Sequence, residues 1–186
     1  EKHEDAPIEN RFVVGPAKIE ANVPAGESEV VFVDLENRTG RTETFVVTFE
    51  DFKASQDANQ TVELLGEERS ATSLKSYLSV EKTSYTLFHG DRVRVPVTIS
   101  IPAEETAGGK FGSVVVSAYP VTEGLDGEVE TGAVVVGRVA SLLFVTVPGE
   151  IIHSANTESF RIAKNASVFF VAPVEFQVAY KNSGTT

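Results

Sequence analysis

Asp91-Arg92-Val93-Arg94-Val95-Pro96-Val97-Thr98-Ile99-Ser100-Ile101 alternates aliphatic residues with residues that are polar or proline. Side chains of an extended strand point to opposite faces in turn, so Val93, Val95, Val97, Ile99 and Ile101 share one face. The spacing predicts a strand with that face in a core. Pro96 has no N–H to give to a ladder, so the strand is predicted either to lie at a sheet edge there or to turn that position away from a partner.

The same period of two recurs on both sides of this run. Val31, Val33 and Leu35 form one set, Phe45, Val47 and Phe49 another, with Asn37-Arg38-Thr39-Gly40 between them as turn chemistry. The pair reads as a hairpin. Further strands are expected at Phe111–Tyr119, after a Pro102–Gly109 loop whose Gly108-Gly109 pair gives backbone freedom, and at Ala133–Val147, after the acidic loop Gly124–Gly132. The near-continuous apolar character of the last run implies burial on both faces for part of its length, or extension into a junction with a second domain. No segment keeps apolar residues three and four apart, and only Ser73–Leu78 reads as a turn or two of helix.

About seven or eight short strands, punctuated by Gly, Pro and Asn, point to an all-β fold: an immunoglobulin-like antiparallel sandwich of two sheets, followed by the first strands of a second sandwich. The cysteine pair and tryptophan of antibody domains are absent. Residues 1–10 read as a flexible acidic N-terminus, 11–149 as the sandwich, and 150–186 as a partial second sandwich or a pairing tail. The last assignment comes from an internal echo. In Val31-Phe32-Val33-Asp34-Leu35-Glu36-Asn37 the apolar residues stand two, four and six places before an asparagine, and Phe176-Gln177-Val178-Ala179-Tyr180-Lys181-Asn182 repeats this. Such a tail exposes an unpaired edge and an apolar face, and is expected to pair with something.

Composition narrows the function. A formal charge of -11 and a pI near 4.7, with Lys and Arg spread singly, oppose binding to nucleic acid or anionic lipid. With no cysteine there is no disulfide framework, thiolate zinc site or cysteine nucleophile. The start at Glu1, without methionine or an apolar leader, fits a mature protein whose signal has been removed. The longest apolar stretch, Ala133 to Val147, is interrupted and shorter than the ~20 residues a membrane helix needs.

The sequence offers no catalytic, cofactor or metal residues to assign. His3, His89 and His153 sit in no recognisable motif, and Gly-x-Ser-x-Gly is missing. Gly108-Gly109-Lys110-Phe111-Gly112 precedes a strand, not the helix a phosphate loop requires. Glu50 and Asp51 are adjacent, so on a strand they point apart and cannot converge on one bond. Asp126, Glu128 and Glu130 alternate in a Gly-rich loop, but match no calcium loop and read as solvated. Asn37, Asn59 and Asn165 begin Asn-x-Ser/Thr triplets, which are glycan acceptors only in some cells.

The order of signals resembles the WxL-interacting proteins of Gram-positive surfaces, in their N-terminal peptidoglycan-binding-type domain. The residues that carry it are Phe12-Val13-Val14-Gly15-Pro16-Ala17-Lys18-Ile19, Pro24-Ala25-Gly26-Glu27 and the strand ending Leu35-Glu36-Asn37-Arg38-Thr39-Gly40. Phe49-Glu50-Asp51-Phe52, Tyr77-Leu78-Ser79-Val80, Tyr85-Thr86-Leu87-Phe88-His89-Gly90 and Ile101-Pro102 with Gly108-Gly109-Lys110-Phe111-Gly112 follow. The resemblance implies an extracytoplasmic, secreted or cell-surface binding module without catalysis. Its partner would be the cell-wall polymer peptidoglycan or another surface protein, with membrane attachment only through an anchor that these residues lack. The alternative is a structural subunit that adds its C-terminal strand, within Val168–Tyr180, to a neighbouring copy. Tyr119 and Pro120, at a strand end, are the surface positions the sequence offers for test.

Overall fold

A computed structural model describes residues 7–55, 57, 61–70, 72–121, 137–150, 153–162 and 175–184. Along the chain the strands are β1 (Arg11–Gly15), β2 (Lys18–Asn22), β3 (Ser28–Arg38), β4 (Glu43–Glu50), β5 (Phe52–Ala54), β6 (Val62–Leu64) and β7 (Leu78–Ser79). They continue as β8 (Ser84–Leu87), β9 (Arg92–Ser100), β10 (Gly108–Pro120), β11 (Gly137–Val147), β12 (Ala155–Ile162) and β13 (Phe176–Asn182). One sheet has four strands in the order β1-β3-β9-β7 and a second has five, β2-β11-β10-β4-β8. They form the immunoglobulin-like sandwich that the alternation predicts. Among the described residues the two sheets hold nine strands against the seven or eight expected, and the run on either side of Pro16 supplies two of them: β1 joins one sheet, while β2 joins the other, parallel to β11.

The core is the meeting of two alternating faces. Val33, Leu35, Val95, Val97 and Ile99 of the first sheet are buried against Phe45, Val47, Val114, Val116 and Leu143 of the second. Each such side chain contributes roughly 1.5–3 kcal/mol by leaving water. β11 is covered on both faces for part of its length, as its composition implies. Leu143, Val145 and Val147 enter the core, and Phe144 on the other face packs edge-on against Phe52 and Phe111. Outward-facing Val115 is also fully buried, in the row between Glu50 and Arg138, which form an ion pair across β10.

One expected pairing is corrected. The runs 31–35 and 45–49 do not form a hairpin: β3 pairs with β1 and β9, whereas β4 pairs with β10 and β8 in the opposite sheet. Alternation tells which side of a strand is dry. It does not tell whether its successor lies beside it or across the core from it.

Pro96 behaves as its chemistry requires. Ile101 N–H bonds Glu27 O and Asn37 N–H bonds Asp91 O, so odd-numbered residues of β9 hydrogen-bond to β3 and even-numbered ones face the other way. On that other side β7 reaches only Thr98 and Ile99. Pro96 therefore removes a donor from an open edge. The helical signal at 73–78 is a single 3₁₀ turn, Lys75–Tyr77. β10 begins three residues earlier than expected. Gly108, at φ +143°, adopts a backbone that side chains rarely allow, and a Cβ on Gly109 would lie 2.9 Å from the Phe111 ring.

Candidate functional site

The residues weighed for chemistry are dispersed and engaged in holding the fold. Asp51 is fully buried and accepts backbone N–H bonds from Ser70, Leu74 and Lys75 at 3.1–3.2 Å. Glu50 instead pairs with Arg138 and accepts from Gly66 N–H at 3.1 Å, so the two neighbours diverge as expected. His89 accepts from Gly40 N–H through Nδ1 at 3.2 Å, a turn contact, and His153 lies exposed ahead of β12. Among the described residues no three His, Asp or Glu are grouped to hold a metal. Asp126, Glu128, Glu130, His3, Asn59 and Asn165 lie outside the described residues. The Asn37 side chain is buried and fully committed to the fold, so in the folded state it is closed to a glycan. Tyr119 is partly exposed at the end of β10 beside Thr44.

One polar cluster ties the loop after β9 to the 3₁₀ turn. The Glu105 carboxylate accepts from Lys110 Nζ at 2.8 Å, from the Tyr77 hydroxyl and from Thr106 N–H at 3.0 Å. Chiefly through Lys110, and then Tyr77, its pKa is pulled from 4.5 down to about 2. A depressed carboxylate stabilises the fold above its unfolded pKa, and that contribution is lost as pH falls through the folded one. Unfolding free energy is thus expected to hold steady near neutrality and to lose about 2 kcal/mol from this group between pH 4.5 and 2. Urea titrations across that range, repeated on Glu105→Gln, check it. The variant should be weaker at pH 7 and show a shallower acid limb.

Exposed apolar side chains gather on one short ribbon, Phe160, Phe176, Val178 and Tyr180, and occur more scattered on the sandwich. Among the described residues β12 and β13 pair antiparallel as a two-stranded sheet of their own, almost all of it exposed. Phe160 opposes Val178 and Ile162 opposes Phe176, so one face gathers Phe160, Ile162, Phe176, Val178 and Tyr180. The Phe160 and Phe176 rings stack with centroids 5.5 Å apart, and Phe160 and Tyr180 remain 67% and 68% exposed. The sequence echo extends to geometry. Asn37 Oδ1 accepts from Thr39 N–H and Asn182 Oδ1 from Gly184 N–H, each at 2.9 Å. Each asparagine also stands opposite a residue of an earlier antiparallel strand, Phe12 in β1 and Ala155 in β12. A smaller apolar patch, Val30 and Phe32, lies on the outer face of the four-stranded sheet. There Arg94 lies over Phe32 at 5.8 Å while bonding Asp34, which lowers the Asp34 pKa.

No family model matches the chain, and no curated protein matches it. Among solved structures it is similar to an ASH/PapD-like domain of human CEP192, with a TM-score of 0.50 and 13% identity, over 77% of this chain and 89% of that one. The likeness is one of fold, an immunoglobulin-like sandwich of two sheets. The chain is also similar to the class 5 fimbriae chaperone CfaA, at TM-score 0.49 and 15% identity over 94% of this chain and 68% of that one. A third similar structure is the CsuC-CsuE chaperone-tip adhesion subunit complex of Acinetobacter baumannii, at TM-score 0.49 and 11% identity, covering 94% and 78%. The two sheets of the sandwich hold β1 to β4 and β7 to β11, and the β5–β6 and β12–β13 pairs lie outside them.

Proposed function

We propose that this chain is a non-catalytic, extracytoplasmic binding module of a cell surface, of the WxL-interacting kind, which holds a neighbouring surface protein or the peptidoglycan of the wall. The observation that carries the reading is the ribbon. Five apolar side chains on one face of an otherwise solvated two-stranded sheet are a surface awaiting contact, since isolated two-stranded sheets are marginal in water. The repeat of the β1–β3 arrangement in β12–β13 supports reading residues 150–186 as opening strands of a second sandwich.

The ribbon favours a protein partner over the wall, because its face is apolar and carries no charge. Co-sedimentation with purified peptidoglycan tests the wall version, which fails if the chain stays in the supernatant. The second reading, a structural subunit, is favoured by the same exposed face and by the open strand edges beside it. Light scattering on the full chain separates the two. A mass that stays monomeric over a wide concentration range supports the binding module. A mass that climbs, and returns to the monomer in the double variant Phe160→Ser, Tyr180→Ser, supports the assembly subunit.

A further inference from the structure

We infer that the free edge of β8 and the cleft beside it form a second docking site, for an extended peptide segment of a partner that carries an aliphatic side chain and a carboxylate. This goes beyond the ribbon and uses none of its residues. At this end of the sandwich the two sheets stay apart: β8 ends the five-stranded sheet, and β7 covers only the far end of β9. Between β8 and β9 lies a cleft of about 430 Å³, floored by Tyr85, Leu87 and Val93, with Lys82, Asp91 and Arg92 at its mouth.

The backbone of β8 is aimed outward at alternate residues. Val47 N–H bonds Thr83 O, which makes Phe45–Tyr85 and Glu43–Leu87 the hydrogen-bonded pairs of the β4–β8 ladder. The N–H and C=O groups of Ser84 and Thr86 therefore point away from β4, towards the open edge. The short separation of the Thr44 and Thr86 hydroxyls, 3.2 Å, agrees with a pair that does not exchange backbone bonds. The two edges at the cleft are not equivalent. Pro96 interrupts that of β9, whereas Ser84–Leu87 contains neither proline nor charge. An added strand can use two residues of β8 for main-chain bonds and turn one side chain into the cleft.

Charge identifies the rest of the occupant. Of the five lysines between residues 11 and 147, Lys18, Lys53, Lys75 and Lys110 are ion-paired with glutamates. Lys82 is the exception among the described residues, its ammonium lying over the Tyr85 ring at 4.9 Å. In a chain with a formal charge of -11, an unpaired ammonium at the mouth of an apolar cleft favours a partner's carboxylate. Asp91 keeps its charge at the same mouth, held towards the Phe88 turn by Phe88 N–H at 2.9 Å, and Arg92 stands beside it, so the cationic side of the mouth is Lys82 with Arg92.

The test uses the full chain, isotope-labelled, and a blocked peptide, Thr-Val-Thr-Val-Glu, titrated to about 1 mM while backbone amide signals are followed. The Ser84 and Thr86 amides should shift and exchange more slowly with solvent. Lys82→Glu should weaken binding about fivefold and transfer the preference to the same peptide ending in lysine. Thr86→Pro, which removes the outward N–H together with the hydroxyl contact to Thr44, should abolish binding, while Thr86→Val, which removes the hydroxyl and keeps the N–H, should not. If Thr86→Pro fails to fold, the Lys82→Glu charge swap still decides. Absence of shifts at Ser84 and Thr86, or shifts confined to the ribbon, overturns the site while leaving the ribbon reading intact. Protection of these amides without peptide that grows with protein concentration would assign the edge to a second copy, and overturns it too.

Discussion

Replacing Asn37 by alanine is expected to lower the unfolding free energy by about 3 kcal/mol, although it removes no apolar surface. The side chain is fully buried where the chain crosses from β3 in one sheet to β4 in the other. Its amide donates to Arg41 O and Leu87 O, both at 2.9 Å, and its oxygen accepts from Thr39 N–H at 2.9 Å and the Thr39 hydroxyl at 2.7 Å. All four hydrogen-bonding capacities of an asparagine are used. Alanine removes one donor from each of two carbonyls, Leu87 O, which keeps Glu43 N–H of the β4–β8 ladder, and Arg41 O, which keeps the Thr39 hydroxyl at 3.1 Å, and it takes the acceptor away from Thr39 N–H. Urea unfolding should show a lower midpoint with an unchanged slope. Arg38→Ala, which loses only partly exposed ion pairs to Glu36 and Glu9, should cost less than about 1 kcal/mol. Equal losses for the two variants would show that the crossing does not depend on Asn37.

Asp51→Ala is the second large loss, again of about 3 kcal/mol, by the same logic with a charge added. The carboxylate organises the segment between β6 and β7: it holds Ser70 N–H with one oxygen and Leu74 and Lys75 N–H with the other, while Asp51 O accepts Leu65 N–H at 2.9 Å. This seats Leu74, fully buried against Gly112, whose added Cβ would meet the Leu74 side chain at 3.0 Å. Asp51→Asn should be intermediate, because an amide keeps one acceptor oxygen but presents N–H to a backbone N–H. Denaturation midpoints rank the three proteins, and hydrogen exchange should show the β5–β6 hairpin and the 3₁₀ turn opening first in Asp51→Ala. A midpoint for Asp51→Asn equal to that of the native chain would mean that the charge contributes nothing there.

These two residues mark the boundary of legibility in the chain. Asn37 reads in sequence as turn chemistry and Asp51 as one of two adjacent acids. Nothing in either stretch says that the side chain is buried, since burial is conferred by strands arriving from residues 84–91 and 108–120. The ribbon was more legible, because its echo of β3 lies in contiguous residues and a period of two survives without neighbours. The β8 cleft gave no signal, as its walls come from two strands of opposite sheets separated by a turn.

The alternation of apolar residues determined by itself that the protein is all-β and sandwich-like. It picked out which face of β9, β3 and β4 enters the core, and Pro96 marked an edge, because these are properties of single strands and local backbone chemistry. Tertiary structure alone decided which strands are neighbours. It sent β3 and β4 to opposite sheets, divided β1 from β2, buried Asn37 and Asp51 and left the β8 edge open. A strand's inward face is dry whether its successor in sequence lies beside it or across the core, so pairing is chosen only when the whole set of strands competes for the same interior.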